Sequence, residues 1–420
     1  MFAKTPKLPE NLNICLTSHR FPILSRATDH GFLWPIARGL AKEGHKVTVI
    51  STASFLKKPE VTRDNVRVFY LYEGEKNLSH LNFQVAARQK FAQLHKEEPF
   101  HLVHSIDKSG YRIGLRKEDY NIAMAYDVEA TQMSQLFAIL AMKRETLGSL
   151  LSTGFATAYK FLTTYYGGDR QLLSTADGIF VTNPQQRIIL ERYYLYPDFH
   201  TYTVPYGIEL GDLSPKEKSL ELKRRWSLPE NSHVAVTISD MTEVQELIPL
   251  LQAFEKVAIK KPNSFLIIVG NGPKFKEIEY QVLNLALGNR VIMTGAVPAP
   301  DIEDYIVLGD VFVNMSSRTT GFEPSTLEAM AQKKVVLGSE VSPIANIIED
   351  GRDGFLLRPA DVESMSSLLV EIFSGTMPAD EIGERARQRV MDLFDTPKLV
   401  QSVVDAYRKI LLNTGMYKKH

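Results

Sequence analysis

The sequence predicts an α/β protein made of two doubly wound, mainly parallel sheets in tandem. Three observations carry this: an opening strand–loop–helix–strand unit, further short apolar runs separated by helical or polar segments, and a second series of the same kind after a Pro- and Gly-bearing joint.

In the first series NICLTS reads as a strand, HRFPILSRATDHG as a loop, FLWPIARGLAKEGH as a helix and KVTVIST as the next strand, a parallel β-α-β unit. VRVFYLY, FHLVHSI, NIAMAYD and GIFVTN supply further strands. The second series runs VAVTIS, the helix ELIPLLQAFEKVAIK, FLIIVGNG, RVIMTG, DVFVNMS, the helix STLEAMAQ, VVLGS and GFLL. Between them VPYGIELGDLSP carries Pro205, Gly207, Gly211 and Pro215 and reads as the linker. The expected domains are residues 1–206, residues 207–395, and a last helical stretch within 396–420 that returns to the first domain.

With 420 residues and 44% hydrophobic content the chain has ample material for packed cores. Lys+Arg 49 balances Asp+Glu 49, so the electrostatic footprint of a nucleic-acid binder is missing at chain level. Cys15 is the single cysteine, which excludes an intrachain disulfide and a cysteine zinc cluster. MFAKTPKLPENLNICLTS has prolines and an asparagine where a signal peptide needs an apolar stretch, and no apolar run reaches membrane-spanning length. A cytoplasmic protein is expected. Residues 136–173, apolar and aromatic with Lys143, Arg144 and Lys160, allow peripheral membrane contact; helices buried against the first sheet or a partner subunit are the plainer reading.

Ligands of doubly wound sheets bind outside the carboxyl ends of the strands, which directs attention to the loops there. VGNGPK (269–274) places Gly270 and Gly272 after a strand, but Phe275 stands where a dinucleotide fingerprint needs its third glycine, so an oxidoreductase reading is weak. Lys274 is either a solvated lysine or a phosphate ligand. In SSRTTGFEPSTLEAMAQ (316–332), Pro324 and Ser325 mark a helix start and Ser325-x-x-Glu328 has capping-box spacing. The same helix end offers free amides near Gly321 and Phe322 for phosphate or sugar oxygens.

From SSRTTGFEPSTLEAMA to GSEVSPIANIIEDGRDGFLLRPAD the chain resembles the donor-binding half of the family-four GT-B glycosyltransferases. The likeness extends to VPYGIELGDLSP, TADGIFVTNPQQRIILERYY, LGNRVIMTGAVPAPDIEDYIVLGDVFVNMSS and IARGLAKEGHKVTVIS. It implies two Rossmann-like domains facing across a cleft, a nucleotide diphosphate sugar as substrate rather than a cofactor, and retention of configuration; separately, no metal ligand set is expected. His104 and His45 follow family patterns and read as packing residues.

The resemblance also exposes departures. The family uses two glutamates, one on the ribose and one on the transferred sugar. Glu328 matches the ribose ligand, whereas Thr320 stands at the other position and Glu323 is out of register. Arginine and lysine that grip the diphosphate correspond to Asp240 and Gln245, with Ser239 for the preceding glycine. A carboxylate in contact with a phosphate charge costs about 4 kcal/mol at an effective dielectric of 20, where the arginine gains as much. Tyr126 replaces a histidine beside the retained Asp127, Ser342-Pro343 replace a glycine pair, and Ala27-Thr28 replace the glycines of the first loop, Gly31 lying out of register. Arg318 and Lys274, with Arg20 or Arg26 from the first domain, could hold an anion placed differently.

Tyr126, Asp127 and Glu323 are therefore the catalytic candidates, and Glu328, Gly321, Phe322, Thr320, Arg318 and Lys274 the candidates for nucleotide-sugar binding. Ser239, Asp240, Gln245, Ser342 and Pro343 are degenerate donor positions. The expected function is that of a non-catalytic binding or partner homologue in glycan or glycoconjugate synthesis. The alternative is an active retaining transferase with a non-standard donor site, acting on a glycan, lipid or small acceptor.

Overall fold

The computed structural model describes residues 6–21, 33–52, 58–73, 76–128, 131, 133, 158–159, 168–316, 324–341 and 343–418. The chain divides into two compact units, Met1–Tyr206 with Thr396–His420, and Gly207–Asp395.

The first unit contains β1 Asn13–Thr17, β2 Lys46–Ser51, β3 Glu60–Arg63, β4 Val66–Tyr70, the two-residue β5 Tyr72–Glu73 and β6 Lys76–Asn77, β7 Leu102–Ile106, β8 Ala123–Asp127, β9 Gly178–Val181 and β10 Thr201–Thr203. Among the described residues its main sheet has the order β10-β9-β8-β7-β1-β2-β4-β3, parallel throughout except where β3 pairs antiparallel with β4. Every residue of β1, β7 and β8 is buried, which is why they read as continuous apolar runs. The edge strand β3 is EVTR, mostly exposed and without alternation, so no period-2 signal marks it. β10 also goes unmarked: Thr201–Thr203 runs directly into the stretch expected to be linker.

The helix Thr396–Asn413 buries Leu399, Val400, Val403, Tyr407, Ile410 and Leu411 in the first unit. It meets the helix Leu33–Lys42 at Gly39, where a Cβ would lie 2.3 Å from Val400 Cγ2, so only a glycine lets the two helices touch. Tyr407 OH and His104 Nδ1 share a buried 2.6 Å hydrogen bond, and the His104 ring stacks on Phe180. Burial holds His104 neutral, its pKa down at about 3. His45 likewise serves the fold, its Nδ1 accepting from the Leu12 amide at 3.0 Å.

The second unit contains β11 His233–Ile238, β12 Ser264–Val269, β13 Val291–Gly295, β14 Val311–Asn314, β15 Val335–Ser339 and β16 Phe355–Leu357. These strands form a parallel sheet of order β13-β12-β11-β14-β15-β16. Its core gathers Leu250, Phe254 and Val257 from the helix Ile248–Lys260 and Leu369 and Phe373 from the helix Val362–Ser374. One local expectation is corrected. The helix after β14 spans Pro324–Ala331, so Pro324 is its first residue and Ser325 lies inside it rather than at the cap.

Candidate functional site

Each strand order reverses once, between β1 and β7 in the first unit and between β11 and β14 in the second. Loops leaving the carboxyl ends of two such strands diverge to opposite faces and leave a crevice, the usual ligand position in open α/β sheets.

In the second unit the loop after β11 is tightly folded. Ser239 Oγ accepts from the Met241 amide at 3.0 Å, and Met241 is fully buried with a left-handed φ of 49°. The Lys274 amide donates to Met241 O at 3.0 Å. A Cβ on Gly270 would sit 1.9 Å from Ser239 O, and one on Gly272 1.8 Å from Asp240 O. Both glycines of VGNGPK therefore exist here to let two loop backbones touch.

Asp240 points its Oδ1 back into this turn, accepting from the Thr242 amide at 3.2 Å and Thr242 Oγ1 at 2.9 Å. The chain then makes a 3-10 turn, Val244–Glu246, in which Gln245 is exposed and Glu246 is buried. Ser316, just past β14, donates its hydroxyl to Glu246 Oε1 at 3.1 Å. The Ser316 amide donates to Asn314 Oδ1 at 3.1 Å, and Asn314 Nδ2 to Thr326 Oγ1 at 3.0 Å. A polar thread thus crosses the switch point from the β11 loop to the helix that carries Glu328, itself 6% exposed. Lys274 Nζ is 2.9 Å from Glu277 on the surface, a pairing worth under about 1 kcal/mol. Pro343 heads the short helix Ile344–Ile347. Arg318, Thr320, Gly321, Phe322, Glu323 and Ser342 lie outside the described residues, as do Arg26, Ala27, Thr28, Gly31, Lys143, Arg144 and Lys160.

In the first unit Tyr126 and Asp127 end β8 and diverge. Tyr126 is wholly buried, its hydroxyl 2.8 Å from Thr175 Oγ1 and close against Gly114. Asp127 is also buried, and Tyr206 OH donates to its Oδ1 at 3.1 Å. Burial pushes the Asp127 carboxyl up to about 8, the nearby negative charge of Asp107 adding to the effect and the Tyr206 hydrogen bond opposing it. Asp107 follows Ile106, the register partner of Asp127 on β7, and has a φ of 46°, a conformation that non-glycine residues hold at some cost. Asp127 is thus a neutral acid at pH 7, able to donate a proton or a hydrogen bond.

Sequence reasoning passes over Glu246, Tyr206 and Asp107. Glu246 is detectable in principle, as an acid directly before the apolar run of the helix Ile248–Lys260. Nothing in the sequence distinguishes Tyr206 or Asp107 from ordinary linker and turn residues.

Comparison with known proteins places this geometry. Residues 218–389, inside the second unit, match the family model described as glycosyl transferases group 1. N-acetyl-alpha-D-glucosaminyl L-malate synthase of Bacillus anthracis is 26% identical over 196 residues, 47% of this chain and 50% of that protein. Sulfoquinovosyl transferase SQD2 of Arabidopsis thaliana is 28% identical over 186 residues, 43% of this chain and 35% of that one. These matches thus span about half or less of the curated relatives. The fold likeness covers almost everything: sucrose-phosphate synthase of Thermosynechococcus elongatus superposes with a TM-score of 0.75 at 18% identity, over 96% of this chain and 100% of that one. Anabaena HepE in complex with UDP-glucose gives a TM-score of 0.68 at 15% identity, over 94% and 99%. The chain has the GT-B fold, two Rossmann-like domains, and its second unit holds the segment that matches the group 1 glycosyl transferase model.

Proposed function

We propose that this chain is a GT-B protein of glycan or glycoconjugate synthesis whose second unit does not grip a donor diphosphate in the usual way, and that it acts as a non-catalytic binding or partner homologue. The observation that carries the reading is the acidic character, among the described residues, of the second switch point. Asp240 is committed to a turn, Glu246 is buried against Ser316, and Lys274 is committed to Glu277 on the surface. A leaving diphosphate needs preorganised positive charge, which is the largest catalytic term in such a transfer. Carboxylates near the phosphates act in the opposite direction.

On this reading the first unit is the acceptor side and the second the nucleotide-sugar side. Glu328 is an inherited ribose ligand, and Arg318, Thr320, Gly321 and Phe322 are the other candidates for nucleotide-sugar binding. Partners are a glycan, a nucleotide sugar or another protein of the same pathway, in the cytoplasm or at a membrane surface. The relatives named N-acetyl-alpha-D-glucosaminyl L-malate synthase and sulfoquinovosyl transferase, and a structural neighbour solved with UDP-glucose, support the substrate class.

A second reading, an active retaining transferase, draws on Asp127. A buried, protonated carboxyl at the carboxyl end of β8 is suited to donating a hydrogen bond to an acceptor or leaving-group oxygen, with Tyr206 fixing its orientation. Incubation of the full chain with UDP-, GDP- and ADP-linked sugars and a set of glycan, lipid and small hydroxylic acceptors separates the two. Transfer of sugar or hydrolysis of any donor above background would sink the non-catalytic reading; absence of both across the panel is its expected outcome.

A further inference from the structure

In the first unit the loop after β1 is held at the carboxyl end of the sheet by a polar contact to the turn after β7 and by rings of the helix His80–Glu97. His19, two residues past β1, receives its position from both sides: its amide donates to Ser109 Oγ at 3.1 Å, in the turn after β7, and its Nε2 lies 2.9 Å from Leu78 O. The His19 ring stacks on His80 with centroids 4.0 Å apart and planes at 22°. Behind it the fully buried Phe83 meets His19 edge-on at 5.6 Å. His80 itself is exposed. The result is a layered stack whose inner ring is locked and whose outer ring belongs to an exposed residue, beyond the carboxyl end of β1 where ligands of this fold class bind.

We propose that the His19–His80 stack is the floor of a binding site for the ring of a neutral carbohydrate on the first unit. That the ligand is a carbohydrate rests on the glycan-synthesis reading above; the position of the site does not. The chemistry follows from the rings. An aromatic face is electron-rich and takes the C–H groups of a pyranose. This requires neutral imidazole, since protonation withdraws charge from the face and sets two cations in van der Waals contact. His80 is held toward the neutral form by burial, by His19 and by the positive charge of Arg20. Binding therefore weakens as pH falls and His80 takes up a proton.

The test is calorimetry and imidazole 1H–15N NMR on the full chain with maltose, methyl α-D-mannoside and N-acetyl-D-glucosamine, each at about pH 7.5 and about pH 5.5. At least one saccharide is expected to shift the His80 and His19 signals, to bind more tightly at the higher pH, and to lose about ten-fold in affinity in His80→Ala but not in His80→Phe, which keeps a stacking face. Silence of both histidines toward all three sugars overturns the proposal, as does unchanged affinity in His80→Ala. So does inorganic phosphate binding at these rings more strongly as pH falls, which would make the site anionic. UDP added to the same sample probes the second unit separately, so failure of the carbohydrate site and failure of the functional reading are told apart.

Discussion

Asp127 offers a perturbation whose size can be worked from the structure. Its carboxyl titrates at about 8 in the folded protein against an ordinary value of 3.8. Between these values the folded chain holds a proton that the unfolded chain has released, so stability contributed by this group is complete below about pH 4 and falls as pH rises, levelling off above about pH 8. Four units at 1.36 kcal/mol each set an upper limit of about 5 kcal/mol, and water entry and local relaxation on ionisation reduce it to about 2–3 kcal/mol. Asp127→Asn keeps an oxygen for the Tyr206 hydroxyl and cannot ionise. The substitution should therefore be neutral at about pH 4 and stabilising at about pH 8, raising the unfolding midpoint of the first unit by roughly 5–10 °C. Calorimetric scans of both proteins from about pH 4 to pH 9 read the difference directly, since all other titrating groups cancel. A difference that stays constant with pH, or that grows toward acid, would refute a buried neutral Asp127.

Three further outcomes follow from the geometry. Gly272→Ala drives a Cβ into Asp240 O at 1.8 Å and should destabilise the second unit by about 2–4 kcal/mol, while Gly295→Ala, with φ 71° but open space around it, should cost about 1 kcal/mol; chemical denaturation compares them. Tyr407→Phe removes the buried partner of His104 and should cost about 1–2 kcal/mol, a loss independent of pH between about 5 and 9 because His104 is neutral throughout; urea unfolding at several pH values checks this. The triple change Asp240→Arg, Gln245→Lys and Thr320→Glu restores the charges of the resembled family and should create nucleotide affinity, measured with UDP. If affinity stays absent, the crevice has been reshaped as well as recharged.

The legible part of the molecule is the part governed by burial. Strands such as LVHSI and AMAYD are buried on both faces and announce themselves as apolar runs, and the Gly–Pro joint at 205–215 sits where Tyr206 and Gly207 divide the units. Edge elements are not legible by that signal: EVTR on β3 and TYT on β10 have one strand neighbour each and little apolar pattern. The candidate site divides along similar lines. The family resemblance directs attention to Asp240, Gln245 and Glu328, but whether a side chain faces a ligand or closes its own turn depends on tertiary contacts. Asp240 turns back on Thr242 and Tyr126 turns inward to Thr175, neither of which follows from spacing. Glu246 and the His19–His80 stack join residues far apart in the chain, so periodicity carries no trace of them.

The most direct measurement of the central reading is a calorimetric titration of the full chain with UDP and UDP-glucose. With the second switch point lined by Asp240 and Glu246, binding should be weaker than about 1 mM, or about 4 kcal/mol of affinity at most. A micromolar dissociation constant for either ligand would contradict it and establish that the second unit holds a diphosphate by other means.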